Sequence, residues 1–415
     1  MGFFRNPTII LAVCFCVLIS NEAIAAVSWD KDLVYDTNTN TSLLASCLSK
    51  DANSVIVVTK VCPKGHLPGW GFCVLWEIGT DGNVVRQVSL KNADGNTVQT
   101  NAIPVRDDCA MASDTSGNLM TVGILSKQKD EKGQKVAVIS RDDKAEKIMS
   151  PRNSIESHSI RKMISLQDDT FVLVGDQNND GLLLLIDKQG KILREGKFDS
   201  GRNDIFTDSD WIKSDNPRLV IVGMSFKQSN EPNTGLYGEN FILLYDPNLK
   251  IVHEDYFEGW KSISAVALAA LCPRVCYLDN GNIVVLYNKE STGSEDPNKT
   301  KVWARCYTQE LKLLWDKEIF AGEKFPNKMP FYFYLIQYGS KGFVSVIIKP
   351  AERLEFYYFN EFGSKIGNYE YKGLIGSSGF DLMRMSDKII AVFEEFSGQG
   401  NIKDITIKTK VIALD

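Results

Sequence analysis

A short β-branched run recurs seven times along this 415-residue chain, and further strand-like segments follow each occurrence. The runs are Ser54–Lys60 (SVIVVTK), Leu119–Leu125 (LMTVGIL), Phe171–Gln177 (FVLVGDQ), Leu219–Ser225 (LVIVGMS), Ile283–Lys289 (IVVLYNK), Phe343–Lys349 (FVSVIIK) and Ile389–Glu395 (IIAVFEE). Their starts lie 65, 52, 48, 64, 60 and 46 residues apart, a spacing that fits the blades of a β-propeller. Blade 3 reads most cleanly after its run, with Gly181–Asp187 (GLLLLID), the turn Lys188-Gln189-Gly190 and then Lys191–Phe198 (KILREGKF). Short strands of Val, Ile, Leu and Phe joined by Asp, Asn and Gly are hairpin signals.

The two ends of the chain match each other. After Ile389–Glu395 only Asp404–Asp415 follows, so the last blade lacks a fourth strand. Near the other end, Trp29-Asp30-Lys31-Asp32-Leu33 repeats Trp315-Asp316-Lys317-Glu318-Ile319, the fourth strand of blade 5. The expected fold is therefore all-β: a seven-bladed β-propeller of four-stranded antiparallel blades over residues 26–415. The N-terminal strand completes the last blade and closes the ring, which removes exposed strand edges there. Paired β-sandwiches would not predict matching ends, and a β-helix needs a shorter period. Ser262–Leu271 (SISAVALAAL) has a helical composition, yet at the head of blade 5 it is expected to form the innermost strand.

Residues 1–25 read as a signal peptide. Arg5 supplies the positive start, Thr8–Ser20 an apolar run too short to span a bilayer, and Ala23-Ile24-Ala25 a cleavage site. An exported, secreted or periplasmic protein follows, with no membrane span in the mature chain. Formal charge is −5, with basic residues scattered among acidic ones, so a nucleic-acid partner is not expected. A monomer is expected. Asn40-Thr41-Ser42 and Asn298-Lys299-Thr300 are glycosylation sequons in a eukaryotic host.

Seven cysteines follow the signal segment, and an oxidising compartment favours bridges. The expected pairs are Cys62–Cys73 across a hairpin loop, Cys272–Cys276 in CPRVC, and Cys47–Cys109 between neighbouring blades, leaving Cys306 over. Zinc is not expected, because His66, His158 and His253 are remote from any matching cysteine pair.

The pattern of a Val-Gly strand end, a run such as LLLLID, a Gln-Gly or Asp-Gly-Asn turn and then K-I-L-x-E resembles the repeats of secreted bacterial β-propeller proteins, including the quinoprotein-like group. That resemblance implies a cell-envelope or extracellular propeller that serves as a scaffold or binding module. Quinone dehydrogenases of the group carry Thr-Gly before a blade Trp and an adjacent Cys-Cys pair. Trp29 and Trp315 lack the former and Cys272 and Cys276 depart from the latter, so no quinone cofactor is expected.

Three candidate sites stand out. Asp176, Asn178, Asp180 and Asp187 fall at the ligand spacing of a calcium loop with Gly181 sixth, although Leu184 stands ninth and a polar hairpin turn accounts for the same residues. His66, Trp70 and Phe72 occupy the Pro63–Phe72 loop, a rigid aromatic recognition surface if Cys62 and Cys73 pin it. The rim loops Lys127–Gln134, Gln228–Glu239 and Glu290–Lys299 share its topological place. Phe331, Tyr332 and Tyr334, in Phe325–Tyr334, are the aromatics most able to reach a central channel. No nucleophile or metalloprotease motif is present. The expected function is binding or scaffolding of a protein or glycan partner through rim loops. The alternative is a channel-sited hydrolase or lyase acting on polysaccharide or peptide conjugates and using calcium.

Overall fold

The computed structural model describes residues 26–64, 71–91, 96–97, 99–100, 109–123, 136–139, 158–166, 168–228, 236–262, 272–289, 299–323, 332–340, 342–349, 351–398 and 405–415. Among them there is no helix, and the strands form seven antiparallel sheets. The first strand is β1 (Val27–Leu33). The first sheet holds β2 (Thr39–Leu48), β3 (Ser54–Pro63), β4 (Gly71–Gly79) and β5 (Val84–Ser89), with the two-residue β6 (Gln99–Thr100) added to β4. A sheet of three strands follows, β7 (Ala110–Ser113), β8 (Leu119–Val122) and β9 (Val136–Ile139). Next come β10 (His158–Ser165), β11 (Thr170–Gln177), β12 (Asp180–Asp187) and β13 (Ile192–Phe198). The fourth sheet holds β14 (Asn203–Ile212), β15 (Arg218–Gln228), β16 (Leu236–Tyr245) and β17 (Ile251–Ser262). The fifth comprises β18 (Arg274–Tyr277), β19 (Ile283–Lys289), β20 (Lys299–Tyr307) and β21 (Leu313–Glu323). The sixth comprises β22 (Tyr332–Tyr338), β23 (Gly342–Lys349), β24 (Arg353–Phe359) and β25 (Lys365–Lys372). In the last, β26 (Leu374–Met385), β27 (Lys388–Ser397) and β28 (Thr406–Leu414) are joined by β1.

This is a β-propeller with six blades of four antiparallel strands. The first strands of the sheets are neighbours in succession: β2 lies beside β7, β7 beside β10, β10 beside β14, β14 beside β18, β18 beside β22, β22 beside β26, and β26 beside β2. The recurring apolar runs form the second strand of each sheet. Leu219, Val220, Ile221 and Val222 are all fully buried, so both faces of β15 are covered. That coverage explains why these runs are continuously apolar rather than alternating. The core is divided into wedges between sheets; Val172, Val174 and Leu183, for example, meet Phe206, Leu219, Ile221 and Phe241. Outer strands such as β25 alternate toward water.

The two chain ends meet in the last sheet. β1 pairs antiparallel with β28, setting Trp29 opposite Ala413 and Leu33 opposite Thr409. The repeated Trp-Asp-Lys segments do the same work twice. Trp29 donates its indole N–H to Thr80 O at 2.8 Å, and its ring lies on Gly82 in the turn between β4 and β5. Trp315 donates to Glu361 O at 3.0 Å and covers Gly363 in the turn between β24 and β25. Both glycines have positive φ, +80° and +71°, and a Cβ at either would stand within 3 Å of the indole. Each tryptophan thus ties the outer strand of one sheet to the turn of the next. Arg194, whose guanidinium donates to Asn248 in the turn between β16 and β17, makes the corresponding tie without an indole.

Charge reinforces the β1–β28 pair. Lys410 Nζ lies 3.2 Å from both Asp30 and Asp32, and Lys408 Nζ lies 3.2 Å from Asp32. Burial alone would raise the Asp32 carboxyl, but the two lysines outweigh it and hold it below its ordinary range. A carboxyl depressed in the folded chain contributes stability above the unfolded value and loses it as pH falls through the folded one. Acidification below about pH 4 is therefore expected to loosen β1 before the central sheets. Hydrogen exchange that speeds in β1 and β28 while β15 and β19 stay protected is the expected result; uniform loss of protection would count against it.

Several expectations meet a different structure. The innermost strand of the fifth sheet is β18, not Ser262–Leu271; Ser262 ends β17, and 263–271 lie outside the described residues. The sheet built on Leu119–Leu125 has three described strands, and residues 140–157, which follow β9, are also outside them. The stretches 229–235 and 290–298, and all of 127–134, lie outside as well. No disulfide joins the seven described cysteines. Cys272 packs with Met224 and Phe226, whereas Cys276 is buried with Cys306, so these two thiols belong to different apolar clusters. Cys73 pairs in register with Lys60, and Cys62 lies against Gly71, so the two sulfurs are offset diagonally on one face of the β3–β4 ladder. Cys47 and Cys109 do come to one place, the wall of the central cavity.

Candidate functional site

The first strands enclose a cavity of about 420 Å³. Its wall has a register that follows from the repeats. Counting the first run from Val55, the fourth residue of each run is Val58, Val122, Val174, Val222, Leu286, Val346 and Val392. Opposite them on the first strands stand Ala45, Ala110, Lys162, Asp208, Arg274, Tyr334 and Asp381. All seven line the cavity, so they make one level of it. That level is asymmetric. Two adjacent alanines leave room on one side, and Lys162, Asp208, Arg274, Tyr334 and Asp381 crowd the other.

β-Bulges help set this level. The pairing slips by one residue at Leu44 in β2, Arg161 in β10 and Thr207 in β14, each just before the residue named. An extra residue bends its strand and re-aims the next side chain. Lys162 Nζ meets Asp208 Oδ1 at 2.6 Å, and its side chain keeps 40 % of its surface open to the channel. Asp208 also accepts from Ser209 N at 2.9 Å and Val275 N at 3.1 Å, which fixes it between β14 and β18. Burial alone would lower the Lys162 ammonium, but Asp208 and Asp210 outweigh it and hold its pKa above the ordinary value.

Arg274 donates to Thr207 O (3.0 Å) and Phe333 O (3.3 Å), and its guanidinium lies 4.9 Å from the Tyr334 ring centroid. Tyr334 packs in turn on Phe380, with centroids 4.4 Å apart. Asp381 accepts from Ser46 Oγ at 2.7 Å and from Leu382 N at 2.9 Å. Burial pushes its carboxyl above the usual carboxylate range, with Ser46 and Leu382 N opposing. Asp210 is raised as well, first by burial, with Lys162 and the Tyr277 and Trp211 amides opposing. Burial also drives the Cys47 thiol far up, with Asp381 adding to it, which leaves little thiolate at neutral pH.

Among the described residues singled out from sequence, Tyr334 lines this cavity, as do Cys47 and Cys109. Tyr332 packs instead on the apolar cluster between the sixth and last sheets. Phe72 makes an edge contact with Tyr35 at 5.0 Å. His66, Trp70 and Phe331 lie outside the described residues.

Of the calcium candidates, Asp176, Asn178 and Asp180 share one hairpin turn and Asp187 lies at the far end of that hairpin. Gln177 pairs with Asp180 around a two-residue turn, Asn178 and Asn179, with φ of +54° and +71°; this is the hairpin conformation that asparagine tolerates. Asp176 pairs with Gly181 and Asp187 with Thr170, at opposite ends of β12. Six residues of strand separate those ends, about 20 Å. Asp176 Oδ1 is taken by Arg161 at 2.6 Å, and Asp187 Oδ1 by the amides of Gln189 and Lys191. Among the described residues no group of three or more His, Cys, Asp or Glu is arranged to hold a metal.

Lys162, Asp208, Arg274 and Asp381 escaped the sequence reading because each is a lone charge in a strand with no motif around it. The available signal was register, since each stands across from the fourth residue of a run.

No protein-family model matches this chain, and no curated protein matches it. Solved structures show similarity of fold. The α-L-arabinofuranosidase Arb93A from Fusarium graminearum is 11 % identical over 75 % of this chain and 93 % of that one, with a TM-score of 0.44. Drosophila Plexin A, solved with Semaphorin 1b, is 6 % identical over 94 % and 87 %, with a TM-score of 0.47. The NanB sialidase from Streptococcus pneumoniae is 10 % identical over 94 % and 68 %, with a TM-score of 0.42. These likenesses concern the propeller architecture, not the quinoprotein-like repeat in particular. No helix among the described residues is long and apolar enough to cross a membrane.

Proposed function

We propose that this chain is an exported, seven-bladed propeller that binds a small polar ligand, a saccharide or the sugar of a conjugate, in its central channel. In this reading residues 1–25 are removed, the three-stranded sheet is the second blade, and β1 closes the ring. The observation that carries the reading is the one-level arc of Lys162, Asp208, Arg274, Tyr334 and Asp381 facing two alanines across a cavity of about 420 Å³. Few convergent polar groups beside aromatic rings in a concave site are what orient a small ligand. The rim loops then serve as the approach to the channel, the role left to His66, Trp70 and Phe72.

Hydrolysis is the second reading. Asp381, on the cavity wall, holds its proton more tightly than an ordinary carboxylate, which suits a general acid.

The test is a thermal-shift and calorimetric screen of residues 26–415 against mono- and oligosaccharides. At least one sugar is expected to raise Tm, and Tyr334→Ala is expected to weaken it about tenfold or more, as loss of a stacking aromatic anchor does. If no sugar shifts the transition, or Tyr334→Ala binds as the parent does, the channel is not the site. Release of new reducing ends by the parent chain decides for hydrolysis.

A further inference from the structure

Asp381 differs from the other charged residues at its level. Lys162 and Asp208 neutralise each other at 2.6 Å. Asp381 is held by a hydroxyl and a backbone amide, Ser46 Oγ and Leu382 N, and among the described residues no cation lies within ion-pair distance of it. Both of its oxygens are thus oriented by neutral donors while the residue stays partly open on the cavity wall. Its nearest neighbours on the adjoining strands are Tyr334 and Phe380 on one side and Ala45 and Ala110 on the side with space, while Lys162 acts on it from across the cavity. A carboxylate kept in such a place has lost much of its hydration without gaining a counter-ion.

We propose that the ligand bears a primary ammonium group seated against Asp381, which makes an amino sugar the preferred class. This rests on the channel reading above and adds the charge of the ligand to it. The ammonium donates to Asp381 while the ring of the sugar occupies the space beside Ala45 and Ala110. Of the protein's own positive groups, Lys162 acts on Asp381 only through space, with no ion pair to it. Lys162 is engaged by Asp208, and Arg274 is drawn toward Thr207 O, Phe333 O and the Tyr334 ring.

Binding is then coupled to protons. Burial favours the protonated form of Asp381, and an arriving cation favours the ionised one, so the amine displaces a proton from the carboxyl. The titratable and charged groups that line the cavity with Asp381 are Cys47 from β2, Cys109 just before β7, Arg161 and Lys162 from β10, Asp208 from β14, Arg274 from β18 and Tyr334 from β22. Glu394 of β27 lies against Gly379, two residues away. Asp210, two residues on from Asp208, also titrates upward, and it feels the same Lys162.

The experiment is calorimetric titration of residues 26–415 with glucosamine, galactosamine and mannosamine, each beside its neutral parent and its N-acetyl form. The amine is expected to bind at least about tenfold tighter than its neutral partners, the low end of what a charged hydrogen-bond partner contributes. Asp381→Asn should bring that ratio to near one. In the parent chain the ratio should shrink as pH is lowered through the titration of Asp381, and the binding heat should vary with the ionisation heat of the buffer. The pH series uses the native chain, so it decides the matter even if Asp381→Asn does not fold. Equal or better binding of the neutral sugars overturns the amine proposal and leaves channel binding standing. A ratio that survives Asp381→Asn also overturns it. Failure of every sugar to bind overturns both.

Discussion

Deletion of residues 26–33 is expected to abolish the single cooperative melting transition of this protein. The segment is small, but it supplies the outer strand of the last sheet, paired to β28 over six residue pairs. Leu33 is fully buried in the wedge between the last sheet and the first, with Trp29 packed against the same wedge. Burying an aliphatic side chain of that size contributes roughly 1.5–3 kcal/mol. Backbone hydrogen bonds add about 0.5–1.5 kcal/mol each. Their sum reaches the 5–15 kcal/mol or so that holds an ordinary domain together. Deletion also strips Lys408 and Lys410 of Asp30 and Asp32, and frees the edge of β28 to pair with other chains. The check is a melting curve followed by circular dichroism, with a peptide of residues 26–35 added in trans. Aggregation or a broad transition, sharpened by the peptide, is the expected pattern. A truncated chain melting within about 3 °C of the parent, a shift worth roughly a kcal/mol, would show that β1 is dispensable.

Gly181→Ala is expected to destabilise the fold by about 2–4 kcal/mol, at the upper end for overpacking. At the sixth place of a calcium loop, glycine would be there for a bend. Here its reason is contact. A Cβ on Gly181 would stand 2.4 Å from Cζ of Phe206, whose ring is fully buried and stacked among Phe198 and Phe241. The ring is fully buried against Phe198 and Phe241, so it or the backbone of β12 or β14 must shift. Phe206→Leu should relieve the clash, and a double-mutant cycle in which the two changes are strongly non-additive is the result to look for. A calcium role predicts something different: melting that rises with calcium in the parent and not in Gly181→Ala. Because Asp176 and Asp187 stand at opposite ends of the β11–β12 ladder, equal curves in calcium and chelator are expected.

The path from sequence to fold ran through the apolar runs. A strand buried on both faces must be apolar at every position, so Phe343–Lys349 and its relatives announce themselves without alternation. The matching Trp-Asp-Lys segments were legible for a similar reason, because each must cover a turn glycine of the adjoining sheet. Of the Ser262–Leu271 stretch only Ser262 is described, at the end of β17, and an apolar stretch by itself carries no mark of which strand it joins. No disulfide joins the described cysteines: Cys62 and Cys73 share a face of the β3–β4 ladder and Cys47 and Cys109 share the cavity wall, whereas Cys272 and Cys276 pack in different clusters, which spacing along the chain does not reveal.

The channel was hidden for a deeper reason. Lys162, Asp208, Arg274 and Asp381 are 46, 66 and 107 residues apart in succession, and no local pattern links them. By itself the sequence determined a ring of similar sheets, because repeated apolar runs can be buried only by stacking against copies of themselves. Which charges face one another was decided by tertiary structure alone. Register and bulges rotate single residues from separate sheets onto one level, and electrostatic pairing acts across space rather than along the chain.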